Sequence, residues 1–286
     1  MFRSAIICVF AFQSAVLHAQ SMLVEDYRFG DFQSAQALST DRFGHVFISD
    51  AGRSVVRKYA INGDLLAEVG GPGWGIGRFD NPRGLDASVS LSVFVADMHN
   101  RRIVRLDRDL NVIAALGGES DAVSVDVGYP IDVASSAFDQ LFVLDSENTR
   151  ILALSDFDRV TYVFGDHTSG EGRLRTPVAL AFDGNERLYV LETARVVVFD
   201  IFGNFLFTFG SGLFGDAVGI GASKDRVAVV TADTVLQFSS TGESLSIHPR
   251  EMMVLAESTG VFRDVAYTKF LLLLLTDLSC IIIPDN

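Results

Sequence analysis

Short runs of alternating apolar and polar residues recur along most of the chain. The stretch from Phe79 to Gly118 contains four of them, and Pro, Asn, Asp or Gly bounds each one. The runs are Gly84 to Ala87, Val93 to Ala96, Ile103 to Leu106 and Val112 to Leu116. Runs of this length between turn residues predict antiparallel strands joined by tight turns. The stretch therefore predicts a small sheet of four strands.

The same pattern returns at a regular interval, with a polar corner after each second strand. The corner residues follow one another at intervals of 39 to 48 positions: Asp50, Asp97, Asp145, Glu192, Thr231 and Thr276. Such an interval with four strands per unit is typical of a β-propeller blade. The sequence thus predicts an all-β fold, a six-bladed propeller of four-stranded antiparallel blades, formed by one domain over residues 20–286.

The sixth unit lacks a fourth strand, because only three residues follow Ile283. The segment Tyr27 to Asp31 closely repeats Tyr162 to Asp166, which supplies the fourth strand of the third unit. We therefore predict that Leu23 to Phe32 pairs beside Ile281 to Ile283 and closes the ring. Closure would remove the open sheet edges that favour aggregation.

The second unit carries the fullest version of the repeat, with Pro82 and Gly84 in its first strand and Asp97, Asn100 and Arg102 at its corner. The third unit keeps most of these residue types, the fourth keeps fewer, and the last two keep only the strand rhythm. This pattern resembles the NHL repeat of six-bladed propellers, as found in exported bacterial-type proteins. The resemblance implies a fold and no particular activity, because the repeat serves binding scaffolds and enzymes alike.

The N-terminal segment Met1 to Ala19 has one positive charge, Arg3, an apolar run from Ala5 to Phe12 and a small residue at its end. These features predict a signal peptide cleaved before Gln20, and hence a secreted or periplasmic protein. Its removal leaves Cys280 as the only cysteine, so an internal disulfide is excluded.

The formal net charge of −13 argues against nucleic acid as a partner, because a basic face is needed to bind phosphates. It also argues against adsorption to anionic lipid surfaces. The apolar runs Phe270 to Leu275 and Cys280 to Ile283 are too short for a membrane anchor, so we expect buried strands and no stable membrane insertion. We expect a monomer with a protein or carbohydrate partner.

The upper face of the predicted propeller is the face where the loops from strand two to strand three and from strand four to the next strand one emerge. The acidic corner residues would form a ring under it: Asp50, Asp97, Asp145 and Glu192. Such a ring has two interpretations, a cation or basic-partner site and a structural cap that accepts backbone N–H bonds and pairs with an arginine of its own blade. We favour the structural interpretation.

The starts of the first strands lie closest to the channel, and charged or amide side chains there are Gln36, Arg83, Asp132, Arg263 and Asp264. Charges near a narrow channel are costly unless they are paired or used. We lean to salt bridges between blades over recognition of a small polar or anionic ligand. These residues are nevertheless the best candidates for a ligand-binding or partner-binding site.

Trp74 is the only tryptophan and lies in the glycine-rich linker 70–77. It is either an aromatic anchor for a partner or a side chain folded over its blade. Among the histidines, we expect His45 on the lower face and His99, His167 and His248 as solvated loop residues that share the upper face. They belong to different blades, so we predict no metal site and no cofactor, while a divalent cation in the channel stays open.

These observations favour an exported, non-enzymatic binding scaffold that presents its upper face to a partner. The alternative is a channel-centred enzyme, lactonase-like or lyase-like and possibly metal-dependent, as in related six-bladed folds. No catalytic motif stands out, so catalytic residues stay unassigned. A third hypothesis is a structural module of a cell-surface assembly.

Overall fold

Alternating runs fold into strands because every second side chain can be buried between two neighbouring sheets. In the computed structural model, which describes residues 22–88, 91–118, 126–136, 140–256 and 260–285, the strands form six four-stranded antiparallel sheets. The predicted all-β, six-bladed propeller is confirmed. The described residues also include two single turns of 3₁₀ helix, Gly170–Gly172 and Arg250–Met252.

The strands of each blade run in sequence order from the channel outward. Blade one consists of β2 (Ala35–Thr40), β3 (Val46–Asp50), β4 (Val55–Tyr59) and β5 (Leu65–Gly70). Blade two consists of β6 (Pro82–Asp86), β7 (Val93–Asp97), β8 (Arg102–Leu106) and β9 (Val112–Gly117). Blade three consists of β10 (Pro130–Ser135), β11 (Gln140–Asp145), β12 (Arg150–Ser155) and β13 (Arg159–Phe164).

The second half of the ring repeats this order. Blade four consists of β14 (Pro177–Phe182), β15 (Arg187–Glu192), β16 (Arg195–Asp200) and β17 (Phe205–Phe209). Blade five consists of β18 (Gly219–Ala222), β19 (Arg226–Val230), β20 (Thr234–Ser239) and β21 (Ser244–Pro249). Blade six consists of β22 (Phe262–Tyr267), β23 (Leu271–Thr276), β24 (Cys280–Pro284) and the N-terminal strand β1 (Tyr27–Phe29).

Strand β1 closes the ring as predicted. It pairs antiparallel with β24, with Tyr27 opposite Ile282 and Phe29 opposite Cys280. The ring of Phe29 lies 5.1 Å from that of Tyr59 in blade one, so the same segment ties blade six to blade one. The predicted signal peptide, residues 1–19, lies outside the described residues.

The two apolar runs near the C-terminus form β23 and β24, whose residues from Leu272 to Ile283 are mostly buried between blades. Within the described part of the chain, no helix has the length and apolar character needed to cross a membrane.

Five of the six inner strands share a shift of register near their upper ends. The shift follows Ala35, Pro82, Pro130, Pro177 and Phe262. The residues immediately after it are half-buried: Gln36, Arg83, Ile131, Val178 and Arg263. A β-bulge of this kind re-aims a side chain and raises the local twist. We call these five residues the bulge ring.

Candidate functional site

The corner acids hold the loops that enter their own blades. Asp50 accepts hydrogen bonds from the N–H groups of Gln33 and Ser34 at 3.0 and 2.9 Å. Asp97 accepts one from the N–H of Asp80 at 2.8 Å, and Glu192 accepts bonds from two N–H groups in its entering loop. All four corner carboxylates are buried, which leaves them little room to meet a ligand.

Each corner acid also binds an arginine of its own blade. The pairs are Asp50 with Arg53 at 3.0 Å, Asp97 with Arg102 at 2.8 Å, Asp145 with Arg150 at 2.9 Å, and Glu192 with Arg195. These contacts engage each corner carboxylate within its own blade. No group of three or more His, Cys, Asp or Glu side chains in the described residues is arranged to hold a metal ion.

Deeper in the channel, Asp132 and Asp264 make the same contacts in opposite blades. Each accepts a bond from the N–H of the next residue, Val133 or Val265, at 2.8 and 2.9 Å. Each also reaches the following blade, where Asp132 binds the N–H of Leu180 at 2.6 Å and Asp264 binds that of Leu38 at 2.9 Å. The two carboxylates therefore join neighbouring inner strands through backbone N–H groups. Burial raises the pKa of Asp132 to about 7 and that of Asp264 well above its ordinary range.

The mutual salt bridges that we expected at this level are absent among the described side chains. No guanidinium nitrogen of Arg83 or Arg263 forms a salt bridge or a hydrogen bond with a described residue. The Nε atom of Arg263 is buried and has no partner in the described residues. Burial lowers the pKa of Arg83, an effect opposed by the charge of Asp132 and reinforced by that of Arg263.

Arg83 and Arg263 lie on blades two and six, with blade one and Gln36 between them. Each is the second residue of an inner strand, and the charge of Arg263 helps to lower the pKa of Arg83. The amide nitrogen of Gln36 donates to the carbonyl and hydroxyl oxygens of Ser34 at 3.2 and 2.9 Å. The other three residues at this level are apolar: Ile131, Val178 and Val218. We call Gln36, Arg83 and Arg263 the cationic mouth.

Trp74 is not among the residues that meet at the channel. The linker that contains it is held to blade two, because the carbonyl oxygen of Trp74 accepts a hydrogen bond from Arg102 at 2.8 Å. The side chain itself is 61% exposed. The indole is therefore exposed beside the corner of blade two.

The histidines are distributed differently from our expectation. His45 lies in a turn on the lower face, where we expected it, and its ring contacts Asp41 at 2.9 Å. His248 is not a solvated loop residue, because it belongs to β21, is 3% exposed and contacts the hydroxyl of Ser246 at 2.8 Å. The prediction was wrong for His248 because the outer strand continues to Pro249.

Asp86 is a channel residue that our sequence reasoning missed. It contacts the hydroxyl of Ser39 in blade one at 3.3 Å and accepts a bond from the N–H of Ser135 in blade three at 2.7 Å. One carboxylate thus touches three consecutive blades. The sequence did contain a signal, because Asp86 is an acidic residue at the end of an otherwise apolar first strand. We overlooked it because the alternation of apolar and polar residues assigns that position to the core.

The fold is shared by solved structures with very different sequences. The chain is similar to a streptogramin B lyase with a TM-score of 0.61 and 11% identity, over 91% of this chain and 97% of that chain. It is equally similar (TM-score 0.61, 11% identity, 88% and 95% covered) to a catalytically inactive virginiamycin B lyase from Staphylococcus aureus with quinupristin. The chain is also similar to a selenomethionine form of that lyase, with a TM-score of 0.57 and 12% identity, over 86% of this chain and 78% of that chain. No protein-family model matches the chain, and no curated protein matches it.

Proposed function

We propose that the protein is an exported propeller that binds a partner at its upper face through an anionic group, such as a carboxylate of a protein or an acidic carbohydrate. The cationic mouth receives this group, and Trp74 supplies a second contact farther out. The proposal keeps the scaffold hypothesis and specifies the chemistry of the partner. The resemblance to the NHL repeat is compatible with it.

One observation carries the proposal. Arg83 and Arg263 are half-buried beside the channel, and neither guanidinium has a hydrogen-bonding or ionic partner among the described residues. A buried charge without a partner is costly, and an ionisable side chain in such an environment is a candidate for a functional site. Arginine is suited to this role because its planar donors match a carboxylate.

Succinate provides a direct test because it presents carboxylates without any other recognition element. We expect succinate to raise the melting temperature of the mature protein in a saturable way. A ligand at 100 times its Kd stabilises by about 2.7 kcal/mol, which corresponds to several degrees for a domain of this size. Arg83→Gln and Arg263→Gln should each weaken succinate binding at least about tenfold.

Arg159→Gln is the matched control, since it removes one exposed arginine from an outer strand. It should bind succinate like the unmodified protein. Without ligand, Arg83→Gln should melt at the same temperature or higher, because the substitution removes an unpaired charge. Equal stabilisation of Arg83→Gln, Arg263→Gln and the control by succinate would contradict the proposal.

A channel-centred, lyase-like enzyme is the second candidate. It is favoured by the fold neighbours, which are streptogramin B lyases, and by Asp132, whose carboxyl has a pKa of about 7. Both oxygens of Asp132 already accept backbone N–H groups, which suits a structural role better than a general base. A turnover assay with quinupristin separates the two candidates.

A further inference from the structure

A second concave site lies at the opposite end of the channel. Turns between the first and second strands of blades one, four, five and six surround a basin of about 900 Å³. We call it the lower basin and define it by six of its lining residues: Arg42, Phe43, Asp183, Lys224, Lys269 and Phe270. A volume of this size is within the range of small-molecule sites.

The lower basin concentrates positive charge in an acidic protein. The whole chain has a net charge of −13 and contains three lysines, of which Lys224 and Lys269 both line the basin. With Arg42 they are exposed, and none of the three forms an ion pair with a described residue. An anion is therefore attracted to this face although the protein as a whole repels it.

Two acids among the described residues line the basin, and both are already engaged. Asp41 is buried and binds both Arg108 and His45. Asp183 accepts hydrogen bonds from the N–H groups of Asn185 and Glu186 at 2.8 and 3.0 Å, which fixes its turn. The basin thus has three cations available for a ligand, against two lining carboxylates, of which Asp41 is buried and paired and Asp183 is half-buried.

Two aromatic rings give the same basin an apolar component. Phe43 is 61% exposed and Phe270 is 65% exposed, which is unusual for large apolar side chains unless a partner covers them. The guanidinium of Arg42 lies 5.0 Å from the ring centre of Phe43, and the ammonium of Lys269 lies 4.9 Å from that of Phe270. A cation and an apolar surface therefore stand side by side on two blades.

We propose that the lower basin binds a small amphiphilic carboxylate, a molecule with one anionic group and an apolar body. The carboxylate contacts Lys224, Lys269 and Arg42, and the apolar body covers Phe43 and Phe270. The basin continues into a channel cavity of about 100 Å³ whose lining includes Asp86, and this carboxylate disfavours an anion there and keeps the charged group at the level of the lysines. A concave basin at the end of a channel fits a small molecule better than a flat bilayer or a folded partner.

Octanoate is the probe, and calorimetric titration of the mature protein measures its binding. Octan-1-ol has the apolar body without the charge, and acetate has the charge without the body. We expect saturable binding of octanoate at one lower-basin site and binding at least ten times weaker for each of the other two. Lys224→Gln combined with Lys269→Gln should weaken octanoate binding at least tenfold, and so should Phe43→Ser combined with Phe270→Ser.

Two controls separate this site from general charge and from the upper face. Arg159→Gln combined with Arg175→Gln removes two exposed arginines elsewhere and should leave octanoate binding unchanged. Succinate, which the cationic mouth binds under the proposed function, should not compete with octanoate for the lower basin. Loss of octanoate binding in the presence of succinate, with retention in the double lysine variant, would overturn the proposal, as would unchanged binding in both lower-basin variants.

A sedimentation assay with phosphatidylglycerol vesicles tests the membrane interpretation of the same residues. We expect the protein to stay in solution. Lysine-dependent binding to vesicles without binding of octanoate would overturn the small-molecule proposal in favour of a lipid surface. The variants change exposed side chains, and their melting temperatures show whether they remain folded.

Discussion

Asp132 and Asp264 occupy the same position in opposite blades and use their carboxylates in the same way. Each joins its own inner strand to the next through backbone N–H groups. A buried carboxylate of this kind is costly in its charged form, and hydrogen bonds offset only part of the cost. At the scale of single residues, the channel is therefore held together by groups that are most favourable when protonated.

This arrangement predicts that stability depends on pH near neutrality. In the folded protein Asp132 holds its proton up to about pH 7, whereas an unfolded chain loses it near pH 4. Between these values the folded state binds more protons, so the free energy of unfolding should fall as pH rises, by at most about 1.4 kcal/mol per pH unit. Urea titrations at pH 5, 6, 7 and 8 measure this slope.

Asp132→Asn should make that slope shallower, and the exposed Asp225→Asn should keep it. The comparison isolates Asp132, because His248, whose pKa is lowered by burial, contributes an opposite slope to both variants. An identical slope in Asp132→Asn and the unmodified protein would contradict the assignment.

At the scale of strands, the close approach of β6 to β10 depends on a missing side chain. A Cβ atom on Gly84 would lie 1.8 Å from the Oδ1 atom of Asp132 and 2.5 Å from its Cα atom. Gly84→Ala should therefore push the two inner strands apart and destabilise the protein by about 1–3 kcal/mol. Gly215→Ala is the control, because a Cβ atom there meets nothing within 4 Å. Chemical denaturation of both variants tests this prediction. Equal denaturation midpoints for the two variants would show that the strands can move apart without loss of stability.

The positions of the strands could be predicted from the sequence, but the orientation of the side chains at their upper ends could not. The repeated corners located β7, β11 and β15 because turn residues and apolar alternation recur at a fixed interval. The bulge ring depends on which residues pair across β2 and β3 or their equivalents, and alternation does not specify a one-residue shift. Arg83 and Arg263 were recognised as candidates by their positions, while their lack of ionic partners could be seen only in the structure.

At the scale of the whole molecule, the lower basin could not be assembled from sequence. Lys224 and Lys269 each lie at the middle of a three-residue turn between the first two strands of a blade, and only closure of the ring brings them near Arg42. The cationic mouth arises in the same way from blades two and six. Both candidate sites are therefore properties of the closed ring, and a chain that failed to close would lose both.

Closure itself predicts the largest effect of any change considered. Deleting residues 20–32 would remove β1, leave one edge of β24 unpaired and take Phe29 and Phe32 from the cluster that contains Tyr59. Each buried phenylalanine contributes about 1.5–3 kcal/mol, and a whole domain is stable by only about 5–15 kcal/mol. We expect aggregation through the exposed edge or a large fall in the denaturation midpoint, measured by light scattering and urea unfolding. Removal of residues 20–22 alone is the control and should change neither, because β1 remains. A deletion of residues 20–32 that was as stable and monomeric as this control would mean that β1 does not close the ring in solution.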